Sequence, residues 1–188
     1  MEYTTLPLAQ VRAGLDAVTA DVRTSFGQLD ARQLNWRPDA ARWSVAQCFE
    51  HLLAANGLML RSARGALDGT APRTVWQRLP LLPGVFGRML VRSQAPQATR
   101  KFTASPLATP AASDIAADVL DRFLSQNHDV VAWLQALDEQ RGGRVIMTSP
   151  FVGFITYSVL DGARLMLAHD HRHIEQARRV TQAPGFPS

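Results

Sequence analysis

Near its end the chain carries the stretch Leu167-Ala168-His169-Asp170-His171-Arg172-His173-Ile174-Glu175-Gln176, and the rest of the sequence is best interpreted outward from it. The stretch lies in a proline-free segment, from about Phe151 to Val180, that predicts a helix. His169 and His173 are four positions apart, so they lie on one face of that helix, about 5–6 Å from each other. The same face carries small and apolar residues, which predicts that it points into the core.

Two imidazoles on a buried helix face have two interpretations. They are either core histidines that hydrogen-bond to their neighbours, or two ligands of one metal ion. His171 is two positions from each of them, on the other side of the helix, and is expected at the surface, with Asp170 on the helix flank. Because an i,i+4 histidine pair often occurs by chance, a metal site needs a third ligand from elsewhere in the chain.

The composition is that of a globular protein with one domain. The chain has 188 residues, of which 46% are apolar, and this length suffices to bury a core without disulfides. Its one cysteine, Cys48, excludes an internal disulfide and suits a reducing cytoplasm. The first residues lack the pattern of a signal peptide, and no stretch reaches the roughly 18 continuous apolar residues of a membrane span. We therefore expect a single domain, residues 1–188, in a cytoplasmic protein without a membrane partner.

The excess of basic over acidic residues suggests nucleic acid as a possible partner but does not favour it. The sequence has 20 basic and 16 acidic groups, a net charge of +4, and a pI near 10.2. A high pI is compatible with binding to nucleic acid. The small net charge and the lack of a continuous Lys/Arg run make a small-molecule substrate the better prediction.

Four segments are predicted to be long helices. The first, from about Leu6 to Leu29, has apolar residues at spacings of three and four. The second begins at Ser44, which forms a capping-box pattern with Gln47, and its continuation is apolar on nearly all sides. The third is expected from Ser113, as its N-cap, to about Asp138. The fourth is the segment 151–180 that contains the histidine pair.

A long connection, residues 67–112, joins the second and third predicted helices. Its six prolines exclude a long helix, although the segment Gly84–Gln94 is compatible with a short one. The sequence has no Asp or Glu between Asp68 and Asp114, whereas five arginines and one lysine occur there. A connection of this length is typically functional or mobile, or it crosses a bundle to join parallel helices. Four helices with one long crossover predict an all-α four-helix bundle.

His51 supplies the third imidazole that a metal site requires. It lies in the second predicted helix, and metal sites in bundles are commonly built from side chains on facing helices. Imidazole nitrogen suits Zn, Ni, Fe or Cu. Three protein ligands leave coordination positions open, which is typical of catalytic sites. His51, His169 and His173 are therefore the predicted metal ligands.

Two motifs together carry a family resemblance. Trp43-Ser44-x-x-Gln47-x-x-x-His51-Leu52, preceded by Trp36-x-Pro38, and His169-Asp170-x-Arg172-His173-x-x-Gln176 resemble the second-helix and fourth-helix motifs of the DinB/YfiT-like superfamily. The resemblance spans roughly Leu8 to Val180. It implies a four-helix bundle with an up-up-down-down course, in which the three matching histidines bind a divalent metal ion such as Zn, Ni or Fe.

The same resemblance implies a function. Characterised members of the superfamily include thiol-dependent S-transferases and isomerases that use low-molecular-weight thiols. This implies a metal-dependent transferase or hydrolase, in which the metal activates a thiol cofactor or a water. The alternative that remains open is a non-catalytic, stress-associated metal-binding protein. A homodimer formed through bundle helices is compatible with the apolar first helix.

Several neighbours of the three histidines have open roles. Cys48 precedes His51 by one turn and is either a fourth ligand or a small buried apolar residue. His128, in the third predicted helix, either reaches the site or lies at the surface. Gln47 and Gln176 are candidate hydrogen-bond partners of the ligands. Trp43 is expected to pack at the start of the second helix, as Trp36 is.

Overall fold

A computed structural model describes residues 1–79, 81–97, 104–111 and 114–188. The helices are α1 (Leu8–Phe26), α2 (Ala31–Asn35), α3 (Val45–Asp68), α4 (Leu82–Gln94), α5 (Val119–Gln135), α6 (Glu139–Arg144) and α7 (Val159–Thr181), and the two strands are β1 (Ile146–Thr148) and β2 (Thr156–Ser158).

The four long helices form a closed ring around the core. Each of them packs against two others, in the order α1, α5, α3, α7 and back to α1. Their inward faces bury apolar side chains at helical spacing, as α1 shows with Val11, Leu15, Val18 and Val22. The predicted all-α bundle is therefore confirmed, with two short strands added to it. The up-up-down-down course of the chain stays a prediction.

The start of α3 follows directly from its sequence. Ser44 Oγ accepts a hydrogen bond from the Gln47 amide at 3.1 Å, and the Ser44 amide donates to Gln47 Oε1 at 2.9 Å. This reciprocal pair satisfies two of the amides that the first turn of a helix leaves without a partner. At the other end, Gly69 takes a left-handed conformation, φ +73°, which terminates the helix. The predicted capping box is thus present.

The prediction of a final helix from 151 is wrong at its beginning. α7 starts at Val159, after Ser158 as N-cap, and β2 precedes it in an antiparallel pair with β1. The segment 152–157 is rich in β-branched and aromatic residues, which fit a pleated surface better than a helix. Because β1 offers a partner that buries Met147 and Tyr157, the strand is favoured over the helix here.

The third predicted helix also begins later than expected. α5 starts at Val119 with Asp118 as N-cap, and Asp114 has a positive φ of 55° that is incompatible with a helix. Ser113, the predicted N-cap, lies outside the described residues.

Part of the long connection is helical. α4 agrees with the short helix expected over Gly84–Gln94, and it packs against α7 and β2. Its contact with α7 is close, since a Cβ on Gly87 would lie 2.5 Å from Asp161 Oδ2. A short 3-10 turn, Pro106–Ala108, lies farther along and contacts α3. Within the described ranges, no helix combines the length and the apolar character needed to cross a bilayer.

Candidate metal centre

The three predicted histidines meet where α3 packs against α7. His51 comes from α3, and His169 and His173 come from successive turns of α7. Their ring centroids are 5.0 Å (51–169), 4.6 Å (51–173) and 4.6 Å (169–173) apart. One ring nitrogen of each lies within 4.8 Å of the other two. The structure thus brings together two distant parts of the sequence in a set of side chains that could hold a metal ion.

The orientation of the His51 ring is set by the long connection. His51 Nδ1 lies 2.6 Å from the carbonyl oxygen of Ala108. A carbonyl only accepts hydrogen bonds, so Nδ1 carries the proton and Nε2 keeps its lone pair. This Nε2 lies 3.2 Å from His169 Nε2. The unprotonated nitrogen of His51, which could bind a metal ion, therefore faces His169.

Burial keeps the three imidazoles neutral. His51 and His173 are 5% and 9% exposed, and His169 is half-buried. Burial lowers the pKa of all three, and that of His173 falls to about 3. The nearby charges of the other imidazoles and of Arg172 further lower the pKa values of His169 and His173. Neutral imidazole is the form that binds a metal ion.

One buried atom at this site has no hydrogen bond. His173 Nδ1 finds no partner among the described residues. A buried polar atom without a partner costs free energy, and such atoms are rare in native structures. An orphaned nitrogen within a group of three convergent imidazoles fits a site that a divalent ion completes.

Trp43 forms one wall of the site, a role that the sequence interpretation missed. Its ring stacks on His173 with centroids 5.8 Å apart and an interplanar angle of 25°, and it lies 5.0 Å from the ring of His51. The signal was present in the spacing, because Trp43, Gln47 and His51 follow one another at intervals of four. An apolar indole over two imidazoles excludes water from that side.

A buried polar pair lies beside the ligands. Asn56 Nδ2 on α3 donates a hydrogen bond to Asp170 Oδ1 on α7 at 2.8 Å. Asp170 is fully buried, so the expectation of a helix-flank position is wrong, and burial raises its pKa to about 7. The remaining oxygens, Asn56 Oδ1 and Asp170 Oδ2, have no partner among the described residues. The pair links the two helices that supply the ligands.

The other candidate ligands do not join the group. The His128 side chain is 83% exposed on α5, next to Asp129. Cys48 is buried in the apolar core, where burial raises its pKa to about 12, so it is a protonated thiol at neutral pH. Of the two alternatives for each, the surface position holds for His128 and the buried apolar role for Cys48.

Further polar neighbours have structural partners. The Gln47 side chain donates to the carbonyl oxygen of Ala111 at 2.8 Å, which fixes the end of the long connection to α3. Gln176 lies one turn beyond His173 on α7, and its side chain raises the pKa of His173, which partly offsets the lowering by burial. The prediction that His171 lies at the surface is wrong. It is half-buried, and its Nδ1 lies 2.8 Å from the hydroxyl of Tyr3, which joins the N-terminal segment to α7.

Comparisons with known proteins agree with this architecture. The model of the DinB superfamily matches residues 14–177. Among solved structures, the chain is similar to YfiT from Bacillus subtilis, described as a probable metal-dependent hydrolase with an unusual four-helix bundle topology. The TM-score is 0.61 at 15% identity, over 96% of this chain and 89% of that one. At this identity the likeness concerns the fold. No curated protein matches the sequence.

Proposed function

The chain belongs to the DinB superfamily, and from this premise we propose that it is a metal-dependent enzyme with His51, His169 and His173 as ligands. The observation that carries the proposal is the convergence of one nitrogen from each imidazole within 4.8 Å of the others. Zinc, nickel and iron are the ions that best suit such a donor set. Three protein ligands leave positions open for water or substrate.

The surrounding residues support a catalytic role for this site. The Ala108 carbonyl holds the Nδ1 proton of His51, burial keeps the imidazoles unprotonated, and Trp43 shields them on one side. A bound ion lowers the pKa of a coordinated water or thiol and polarises a substrate carbonyl. His169 is the most exposed of the three ligands, so a small-molecule substrate would approach from its side.

Two reaction classes use such a site. Hydrolysis with an activated water is supported by the fold likeness to YfiT, which is itself described as a probable metal-dependent hydrolase. Group transfer with a low-molecular-weight thiol is supported by the resemblance of the two histidine motifs to those of the superfamily, since its characterised members include thiol-dependent S-transferases. We place hydrolysis first, because the structural comparison points to it independently of the motifs.

The metal site is tested by elemental analysis of protein purified without added metal and then reconstituted with Zn²⁺ or Ni²⁺. We expect an equimolar amount of tightly bound ion, which is lost in His51→Gln and His169→Gln. The matched control is His128→Gln, since the His128 side chain is 83% exposed. The ligand assignment fails if the control loses as much metal as the other two variants, or if the unaltered protein holds none.

The fluorescence of Trp43 provides an independent measurement of metal binding. Its indole lies against two of the proposed ligands, so Ni²⁺ or Cu²⁺ bound there would quench its fluorescence. We expect saturable quenching that is largely absent in Trp43→Phe and retained in Trp76→Phe, whose indole contacts Phe154 instead. Equal quenching in both variants would place the ion elsewhere.

Turnover is tested with the metal-loaded protein on panels of esters and amides. A parallel panel combines glutathione, bacillithiol or mycothiol with an electrophile. We expect the unaltered protein to hydrolyse a substrate, to lose this activity when the metal is removed, and to regain it when the metal is added back. His169→Gln should be inactive with and without added metal. Activity only in the thiol panel would assign the transferase class. Full metal loading without turnover in either panel would leave the non-catalytic metal-binding alternative in its place.

A further inference from the structure

α4 has two faces, and the described residues cover only one of them. Gly87 and Val91 are buried against the bundle. Leu81 is the N-cap of the helix, and Val85 and Met89 lie on the side opposite the buried residues, because they are offset from them by two positions and spaced by four. Their exposed fractions are 84%, 49% and 49%. The helix therefore exposes an apolar stripe to solvent in addition to the apolar face that it buries.

The exposed apolar residues of the protein are concentrated around this stripe. Nine large apolar side chains of the described residues are exposed, six of them between Val75 and Met89 and a seventh at Phe154. The rings of Trp76 and Phe154 contact each other, with centroids 6.3 Å apart. The 3-10 helix Val75–Arg78, α4 and β2 all contact one another. A contiguous exposed apolar patch on a folded protein typically marks an interaction site.

The conformation of Leu81 also suggests an outward role. Its φ of 70° is unfavourable for a residue with a Cβ, and such strain is commonly found at functional positions. Burial of the side chain does not compensate for it, because Leu81 is 84% exposed. The residue projects into solvent instead of lining a groove.

The segment that carries most of the patch has charge of one sign. The sequence has no acidic residue between Asp68 and Asp114. Arg73, Arg78 and Arg88 are exposed, and none of them forms an ion pair with a described residue. A projecting apolar stripe flanked by arginines is complementary to a surface that is anionic outside and apolar inside.

We propose that this surface, comprising Val75, Trp76, Leu81, Val85, Met89 and Phe154 with the flanking arginines, docks onto anionic lipid bilayers. A second copy of the chain is disfavoured as the occupant, because it would bring two arginine-bearing, acid-free surfaces together. The expectation of no membrane partner rested on the lack of a spanning segment, and an interfacial helix needs none. The proposal does not depend on the metal site.

The test is co-sedimentation of the full chain with vesicles of phosphatidylcholine alone or with phosphatidylglycerol added. We expect binding to the anionic vesicles that weakens as salt rises, and little binding to the neutral ones. The triple variant Leu81→Ser/Val85→Ser/Met89→Ser should lose at least about tenfold in affinity. Replacing Arg78 and Arg88 by Gln should cost about fivefold for each arginine removed.

Matched controls separate this surface from general effects. Leu107→Ser removes another exposed apolar side chain, and Arg23→Gln with Arg32→Gln removes the same charge from α1 and α2. Both controls should bind vesicles as the unaltered protein does, and every variant should keep its melting temperature and metal content. The proposal is overturned if anionic vesicles are not bound or if the triple serine variant binds normally. It is also overturned if light scattering shows that the triple variant merely converts a dimer to a monomer.

Discussion

Burial lowers the pKa values of the three imidazoles and raises the pKa of Asp170. The buried histidines have pKa values below the ordinary value of 6.5, so the unfolded chain binds more protons than the folded one when the pH falls below that value. Their contribution to stability is present above pH 6.5 and is lost as the pH falls towards the folded pKa, about 3 for His173. A pKa that differs by one between the folded and unfolded states changes the free energy of unfolding by about 1.4 kcal/mol.

We therefore expect the metal-free protein to lose stability between pH 7.5 and pH 5. The free energy of unfolding, measured by urea denaturation, should fall by about 2 kcal/mol or more over this range. His173→Gln removes the residue whose pKa falls to about 3 and should flatten the curve, whereas His128→Gln should leave it unchanged. A curve that is flat both in the unaltered protein and in Asp170→Asn, which lacks the opposing carboxyl, would contradict the burial of neutral imidazoles.

Asp170 has the reverse dependence. Its pKa is raised from 3.8 to about 7, so its own contribution to stability is fully present below pH 3.8 and is lost as the pH rises through 7. Asp170→Asn keeps the acceptor for Asn56 and adds an amide that can donate to the orphaned Asn56 Oδ1. We expect this variant to stabilise the metal-free protein at pH 8 by roughly 1–3 kcal/mol and by much less at pH 5.

The comparison variant for Asp170→Asn is Asp129→Asn, whose side chain is 68% exposed. It should change the free energy of unfolding little at either pH. If Asp170→Asn destabilises the protein equally at pH 5 and pH 8, the carboxyl is held by contacts other than the pair with Asn56.

The convergence of His51, His169 and His173 could be predicted from the sequence, but the surroundings of these side chains could not. His169 and His173 are recognisable by a spacing that fixes them on one face of any helix. Asp170 lies about a quarter turn away, and its burial depends on Asn56 of α3, which is 114 residues distant in sequence. No local pattern specifies which side of α7 a remote helix covers.

Alanine substitutions at two glycines of α4, Gly84 and Gly87, distinguish the effect of close packing from that of helix propensity. A Cβ on Gly87 would lie 2.5 Å from Asp161 Oδ2 and 3.1 Å from Asp161 Cβ, whereas one on Gly84 would meet only Arg88, at 4.0 Å. Gly87→Ala should therefore destabilise the docking of α4 on α7 by about 1–3 kcal/mol. Gly84→Ala should stabilise the same helix by about 0.5–1 kcal/mol. Thermal unfolding of both variants tests these expectations. If Gly87→Ala stabilised the protein, the contact between Gly87 and Asp161 would not be tight.

The helix boundaries show which structural signals are local. The Ser44–Gln47 capping box was predictable, because both partners lie within one turn. The beginning of α7 was not, because residues 156–158 become a strand only when 146–148 pair with them. Without knowledge of that partner, a proline-free segment beside a helix is interpreted as its extension.

The metal should stabilise the entire bundle, because its proposed ligands join α3 to α7. A ligand that binds only the folded state adds about 2.7 kcal/mol at a free concentration of 100 times its dissociation constant. For a chain of this size, removal of the ion by a chelator should lower the melting temperature by roughly 5–10 °C. His169→Gln should melt at the same temperature with and without the chelator, and an equal shift in both proteins would exclude the three histidines as the cause.

The bundle as a whole follows from periodicity, but its arrangement does not. The apolar spacing of α1 and the nearly all-round apolar surface of α3 were sufficient to predict long helices and a common core. The order in which they pack, α1, α5, α3 and α7, and the docking of α4 on α7 are not specified by the spacing of apolar residues within any one helix. These contacts join segments that are far apart in sequence.

The hydrogen bond from His51 to Ala108 divides the long connection into two parts with different tolerance to change in length. Residues inserted between Gln94, where α4 ends, and Ser105 would leave both α4 and the turn Pro106–Ala108 in their places. Residues inserted between Ala108 and Ala111 would pull apart two anchors, the carbonyl that holds His51 and the one that holds Gln47. We therefore expect changes of length to be tolerated between α4 and Ser105, whereas the segment from Ala108 to Ala111 must keep its register for the His51 imidazole to face His169 and His173.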